Sequence, residues 1–341
     1  SPEIALKKIE LDHKSHIELI KNITNDSTIS KNSNRKNHPK WDSLAHTSII
    51  IELEKIQKRE LSGQEIVEIK TANDVEKYYK KIIAPQIDET KNDTEIDSYI
   101  DKLKEHGLST NKLVYLILSE YRLSDIGVTN LDRLITKIKE SIRKDQTIIM
   151  NTFSWDFCRT GSYSKSSTPC ETGIINELFR RDPETNQSNH PIYSFTAFGY
   201  QSEELMRHQS DTCWGKGSVL DKICQHSDCR VISDGVDLLK GNPSIHFLEE
   251  KYKVPYREFK KFSGTVSFSN QKIEYTTSMF VRSLDDEYVN DWQPIIKVIS
   301  ERKLYKGNFK KGDLYSYKNN EIIEIAEVFL KKSTTSLARK K

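Results

Sequence analysis

The stretch from Ile148 to Gly199 limits what this 341-residue chain can fold into more than any other. It opens with Ile148-Ile149-Met150-Asn151-Thr152-Phe153-Ser154-Trp155-Asp156-Phe157, an apolar strand signal running into polar and aromatic residues. In Thr168-Pro169-Cys170-Glu171-Thr172-Gly173, Thr168 suits a helix cap and Pro169 a first helical turn. Ile174, Ile175, Leu178 and Phe179 then recur at helical spacing up to Asp182-Pro183. Ser188-Asn189-His190-Pro191-Ile192-Tyr193-Ser194-Phe195 sets a histidine before a proline at the mouth of another strand. An X-Pro step favours extended backbone, so the His190 ring is expected to project from a strand edge. Just upstream, a strand at 113–118, a helix at 130–143 and a strand at 147–150 read as a βαβ unit, which makes the fold class α/β.

Charged residues are 30 % of the chain but the net charge is only +3, so the overall field favours neither nucleic acid nor a membrane surface as partner. No apolar run approaches the roughly 20 residues of a membrane span, and no signal-peptide core is visible near Ser1, so a cytoplasmic location is expected. Cys158, Cys170, Cys213, Cys224 and Cys229 are odd in number and irregularly spaced, which reads as reduced thiols without a metal site.

The front of the chain has a different pattern. Residues 1–22 read as an amphipathic helix, 23–40 as a long polar loop, Thr47–Leu53 as a helix after Trp41-Asp42-Ser43-Leu44, and Val75–Ile83 as a last helix capped from Thr71. This order is similar to an acyl carrier protein with Ser43 as the phosphopantetheine serine. A phosphodiester there would meet free N–H groups at a helix N-terminus, and an ordinary N-cap is the competing reading. Three pieces are expected: a small all-α carrier-like domain over 1–83, a linker over 84–92, and an acyltransferase domain over 93–341. Within the last, Gly264–Ser269 and Lys272–Thr277 read as an antiparallel pair, and the basic C-terminal tail as frayed.

Asn151-Thr152-Phe153-Ser154, Thr168-Pro169-Cys170-Glu171-Thr172-Gly173, Glu177-Leu178-Phe179-Arg180 and Ser188-Asn189-His190-Pro191 together resemble the antibiotic N-acetyltransferases, also called the aminoglycoside 3-N-acetyltransferase family. Gly217-Ser218-Val219-Leu220-Asp221-Lys222, Asn242-Pro243-Ser244-Ile245-His246-Phe247-Leu248-Glu249 and Val254-Pro255-Tyr256-Arg257 extend the likeness. One segment departs from it: where the family commonly has His-Ser-Ser-Leu, this chain has Glu120-Tyr121-Arg122-Leu123.

The resemblance implies transfer of an acyl group from a pantetheine thioester to an amine, with His190 as general base and Glu249 or Glu177 orienting it. Thr152, Thr168 and Ser218 become candidates for donor binding, and Asp156, His208 and His246 for contact with substrate. A covalent route through Cys158 or Cys170 is the competing chemistry. The expected cofactors are 4'-phosphopantetheine on Ser43, which requires a phosphopantetheinyl transferase as partner, and coenzyme A or acyl-CoA. The fused carrier favours an amino sugar of surface polysaccharide or another glycoside as acceptor. Aminoglycoside acetylation from acetyl-CoA and a non-catalytic carrier-docking module are the alternatives, and the oligomeric state stays open.

Overall fold

The computed structural model describes residues 15–80, 93–239, 241–268, 271–283, 288–302, 305–310 and 312–340. The chain divides into two compact units, Ser1–Asp88 and Glu89–Lys341.

The first unit holds α1 (His16–Thr24), α2 (Ser43–Gln57), α3 (Gly63–Glu68) and α4 (Ala72–Lys80). Each start has a local cause. Ser15 Oγ accepts the Glu18 N–H, Asp42 accepts the Ala45 N–H, and Ser62 with Glu65 forms a capping box. Leu19, Ile20, Trp41, Ile49, Leu53 and Val75 fill the interior. The helix expected over 1–22 lies largely outside the described residues; the described part is α1, and α2 is longer than the expected Thr47–Leu53. The 84–92 linker also lies outside them.

In the second unit, α5 (Asp93–Glu105), β1 (Leu113–Leu118), α6 (Glu120–Asp125), α7 (Leu131–Ser141) and β2 (Thr147–Asn151) form the opening βαβ segment. Next come α8 (Asp156–Thr160), β3 (Ser162–Ser164), α9 (Ile174–Arg181), β4 (Asn186–Gln187), β5 (Phe195–Gly199) and α10 (Ser202–Met206). They lead to α11 (Val219–Gln225), β6 (Cys229–Asp234) and α12 (Ser244–Lys251). The remaining elements are β7 (Arg257–Phe268), β8 (Gln271–Arg282), β9 (Tyr288–Asn290), α13 (Gln293–Glu301), β10 (Tyr305–Phe309), β11 (Gly312–Lys318), α14 (Asn319–Lys332) and β12 (Ala338–Lys340).

Among the described residues the main sheet runs β10-β11-β6-β1-β2-β5-β4, with β6, β1 and β2 mutually parallel and antiparallel strands on both flanks. Every residue of β1 and β2 is buried, the pattern of strands covered on both faces. The loops that leave the C-terminal ends of β1, β2 and β6 emerge on one edge, the usual place for a site in an open α/β sheet. Asn151 Nδ2 donates to the Gly241 carbonyl at 2.7 Å, tying the end of β2 to the loop between β6 and α12.

A second sheet, β3-β7-β8, is dominated by a hairpin of two twelve-residue strands. It is far longer than the short segments expected, because Lys260, Lys261 and Glu274 on its exposed faces break the apolar alternation that marks a strand. The tail is not frayed: Ala338–Lys340 pairs with Tyr288–Asn290. α9 starts at Ile174, after Gly173 at φ 132°, and not behind Thr168. Thr168 Oγ1 instead accepts the Ser164 N–H at 2.8 Å and closes a loop.

Candidate active site

His190 does not project from a strand edge. Its ring is fully buried and turned back on its own chain, where Nδ1 accepts the N–H groups of Ile192 (3.2 Å) and Tyr193 (2.9 Å). That assigns the proton to Nε2, which donates to Thr277 Oγ1 at 3.3 Å, and Thr277 in turn donates to the Asp211 carbonyl. Both ring nitrogens are spent. Burial, with the neighbouring His208, holds the ring well below its ordinary pKa, so it stays neutral. His208 lies against it with ring centroids 4.4 Å apart.

Neither candidate carboxylate orients His190. Glu177 accepts from Arg180 Nη2 at 2.7 Å, from Arg181 Nε at 2.7 Å and from the Cys170 N–H at 2.8 Å. Burial pushes the Glu177 carboxyl up, but these cations and the N–H outweigh it and keep it ionised. Its work is to hold α9 against the 168–173 loop.

Glu249 has a different histidine. Helical spacing puts His246 and Glu249 on one face of α12, and Glu249 Oε2 meets His246 Nδ1 at 2.7 Å. Tyr256 Oη donates to Oε1 at 3.1 Å, and the Arg257 guanidinium pairs with Oε2 at 2.8 Å. Burial of Glu249 disfavours its charge, and the His246 bond with the Arg257 charge overcomes that and holds the carboxyl below its usual range. Tyr256 and Arg257, which the sequence reading gave no role beyond the family likeness, thus help keep this carboxylate charged in the interior. The His246 side chain is 21 % exposed, and among the described residues no protein group is bonded to Nε2. Trp214 stacks on the ring at 5.0 Å, and Trp292 lies 5.9 Å away. Neither tryptophan carried a sequence signal beyond its size.

The donor-binding candidates sit elsewhere. Thr152 is buried among Ser194 and Thr196, with its Oγ1 3.3 and 3.0 Å from theirs, and Thr168 closes the loop described above. Ser218, also buried, caps α11 by accepting the Asp221 N–H at 3.0 Å. Each of these three hydroxyls is engaged in a hydrogen bond within the protein. Asp156 opens α8 with a side chain 41 % exposed, beside Arg159 at 3.5 Å. The five thiols are free, and burial pushes Cys170 up to about 12 and Cys158 up to about 11, leaving both protonated and poorly nucleophilic at neutral pH.

This second unit has the fold of the aminoglycoside N-acetyltransferases. It superposes on the YokD protein from Bacillus subtilis with a TM-score of 0.55 at 21 % identity, over 69 % of this chain and 98 % of that one. AAC-IIIb, solved as a binary complex with CoASH, gives 0.58 at 16 % identity over 70 % and 96 %. AAC-VIa bound to sisomicin gives 0.57 at 16 % over 70 % and 97 %.

The sequence agrees. The family described as aminoglycoside 3-N-acetyltransferase matches residues 122–331, well over half of the chain, and the chain belongs to that family of N-acetyltransferases. The SPbeta prophage-derived aminoglycoside N(3')-acetyltransferase-like protein YokD of Bacillus subtilis (strain 168) is 26 % identical over 180 residues. That match spans 51 % of this chain and 62 % of the relative. Among the described residues no helix is long and apolar enough to cross a membrane.

The hydrogen bonds of His190 tie its ring to the chain from 190 to 193 and to Thr277. His190→Ala leaves the buried N–H groups of Ile192 and Tyr193 without acceptors and is expected to lower stability by about 1–3 kcal/mol. His190→Asn, whose Oδ1 stands where Nδ1 does, is expected to recover most of that loss in urea denaturation.

Proposed function

We propose that the second unit transfers an acetyl group from acetyl-coenzyme A to an amine of an aminoglycoside-type amino sugar, with His246 as the general base. The observation that carries the assignment is the His246–Glu249 pair: a partly exposed imidazole whose Nδ1 lies 2.7 Å from a buried, charged carboxylate and 3.2 Å from Arg257 Nη2. The amine lone pair attacks the thioester carbonyl; the new C–N bond forms as the C–S bond breaks. His246 Nε2 takes the proton from nitrogen and can return it to the departing sulfur. Glu249 fixes the ring orientation and stabilises the imidazolium formed in that step. Coenzyme A as donor and an aminoglycoside as acceptor are supported by relatives of the same fold, one solved with CoASH and one with sisomicin. Asp156, exposed at the start of α8, is a candidate contact for a second ammonium group.

His190, by contrast, has no free nitrogen with which to accept a proton, and its role in this reading is to shape the chain from 190 to 193. His246→Ala is expected to lower kcat by about 10²–10⁴-fold in a thiol-release assay with acetyl-coenzyme A and an aminoglycoside, and to lower thermal melting as well, because Glu249 loses one of its partners. Glu249→Gln is expected to shift the pH profile of kcat. Full activity of His246→Ala would remove the assignment.

A second reading concerns the first unit, where we infer a carrier role for Ser43. It rests on a specific observation: Ser43 is the first residue of a fifteen-residue helix capped by Asp42, and Arg35 Nη2 lies 3.3 Å from its hydroxyl. Asp42 caps this helix, so Ser43 stands at its first turn, where N–H groups and the Arg35 guanidinium favour a phosphodiester. Short α3 and capped α4 complete the helix order of a carrier protein. Co-expression with a phosphopantetheinyl transferase is expected to add one pantetheine arm to the intact mass, and Ser43→Ala to abolish the gain. An unmodified mass would leave free coenzyme A as the donor.

A further inference from the structure

The proposed base has a cation against it as well as an anion. Glu249 Oε2 lies 2.7 Å from His246 Nδ1, and Arg257 Nε lies 2.8 Å from that same oxygen. Arg257 Nη2 lies 3.2 Å from Nδ1 itself. The two partners favour opposite states of the ring. A charged carboxylate only accepts, so it draws a proton to Nδ1, whereas a guanidinium only donates and holds no proton on the ring. The Glu249 side chain is fully buried and the Arg257 side chain 6 % exposed, so water screens neither well. With the ring neutral, carboxylate and guanidinium cancel and the cluster has no net charge. With the ring protonated, the cluster carries one positive charge in a largely buried place. Without the guanidinium the order reverses: a neutral ring leaves a buried anion uncancelled, and imidazolium becomes the balanced form. Arg257 is also anchored apart from these two groups, since its Nη1 donates to the Phe280 carbonyl at 3.1 Å across the β7–β8 hairpin. Among the described residues Glu249 and Arg257 are the charged groups in contact with the ring. Trp214 and Trp292, from two other segments, bring nothing that titrates.

We propose that Arg257 is a positioning residue that keeps the His246 ring neutral at rest and presses its proton onward during acyl transfer. The inference rests on His246 as the base in the reading above. A buried glutamate alone would steady the imidazole but also favour its charged form, which has no lone pair for the amine proton. Arg257 withdraws that bias and leaves the Glu249 bond to orient the ring. Once Nε2 has taken the proton from the attacking nitrogen, the imidazolium stands 3.2 Å from a guanidinium nitrogen. The C–N bond has formed and the C–S bond is breaking; passing the proton to the departing sulfur gives a free thiol and restores the balanced cluster. Arg257 touches neither reactant in this scheme and acts through the ring and Glu249.

The test reads the ring before any turnover. In spectra of the full chain labelled with nitrogen-15 histidine, the His246 signals are identified by their loss in His246→Gln. Near neutral pH the unmodified chain is expected to show a neutral ring with its proton on Nδ1. Arg257→Gln is expected to hold the ring charged at that pH and to move the acid limb of kcat/KM up by about 1–3 pH units. At a fixed pH below the limb, each unit is about a tenfold loss of rate. Arg257→Lys, which keeps the charge but not the fork, is expected to bring the limb back toward its original position. A packing defect alone would lower activity without moving the limb or charging the ring. Thermal melting checks the fold of each variant, and the spectrum of the unmodified chain tests the idea without any of them. A ring already charged in the unmodified chain, or an acid limb that Arg257→Gln leaves in place, overturns this role for Arg257. Full activity of His246→Ala, with the ring of Arg257→Gln charged as expected, removes the base reading instead and leaves the charge balance standing.

Discussion

A carboxylate without solvent is the constraint around which the second unit is arranged. Glu249 is completely buried, and an ion in that position costs several kcal/mol unless its oxygens are answered. Its answers come from three places: His246 one turn earlier on α12, Tyr256 in the segment after it, and Arg257 at the start of β7. Satisfying one carboxylate therefore docks a helix against a hairpin. Arg257 also donates to the Phe280 carbonyl across that hairpin, and Thr277, farther along β8, reaches His190. The hairpin thus reaches both histidines, the one left open and the one closed off.

Much of this architecture is written in local pattern. The apolar runs at 113–118 and 148–150 become central parallel strands, and the Ser244–Lys251 helix falls where its spacing puts it. The hairpin is less legible, since a ribbon with polar faces shows little alternation. Thr168-Pro169 carries a helix-start signal that tertiary context overrides: its hydroxyl goes to Ser164, and the helix waits for the glycine at 173.

The two histidines show where sequence reasoning stops. The proline after His190 governs backbone geometry but not which way the ring turns, and a ring that accepts N–H groups two and three residues ahead imitates an Asx-turn. The resemblance puts the base at His190, whose two nitrogens are hydrogen-bonded within the protein, whereas among the described residues no protein group is bonded to His246 Nε2. The spacing of His246 and Glu249 was visible as a shared helix face, but the partners that let a buried glutamate stay charged, Tyr256 and Arg257, come together only in three dimensions. Asp42-Ser43 in the first unit is similar: the dipeptide announces a helix start without saying which residue caps, and the answer is Asp42.

The paired, tilted imidazoles of His190 and His208 make the second unit acid-sensitive from within. Burial takes His208 down to about 4 from an ordinary value of 6.5, so an unfolded chain collects this proton well before the folded one does. The stabilisation this ring contributes is whole above about 6.5 and drains away as the solution is acidified toward 4. His190 drifts the same way for the same reason, and with centroids 4.4 Å apart neither ring welcomes a charge on the other.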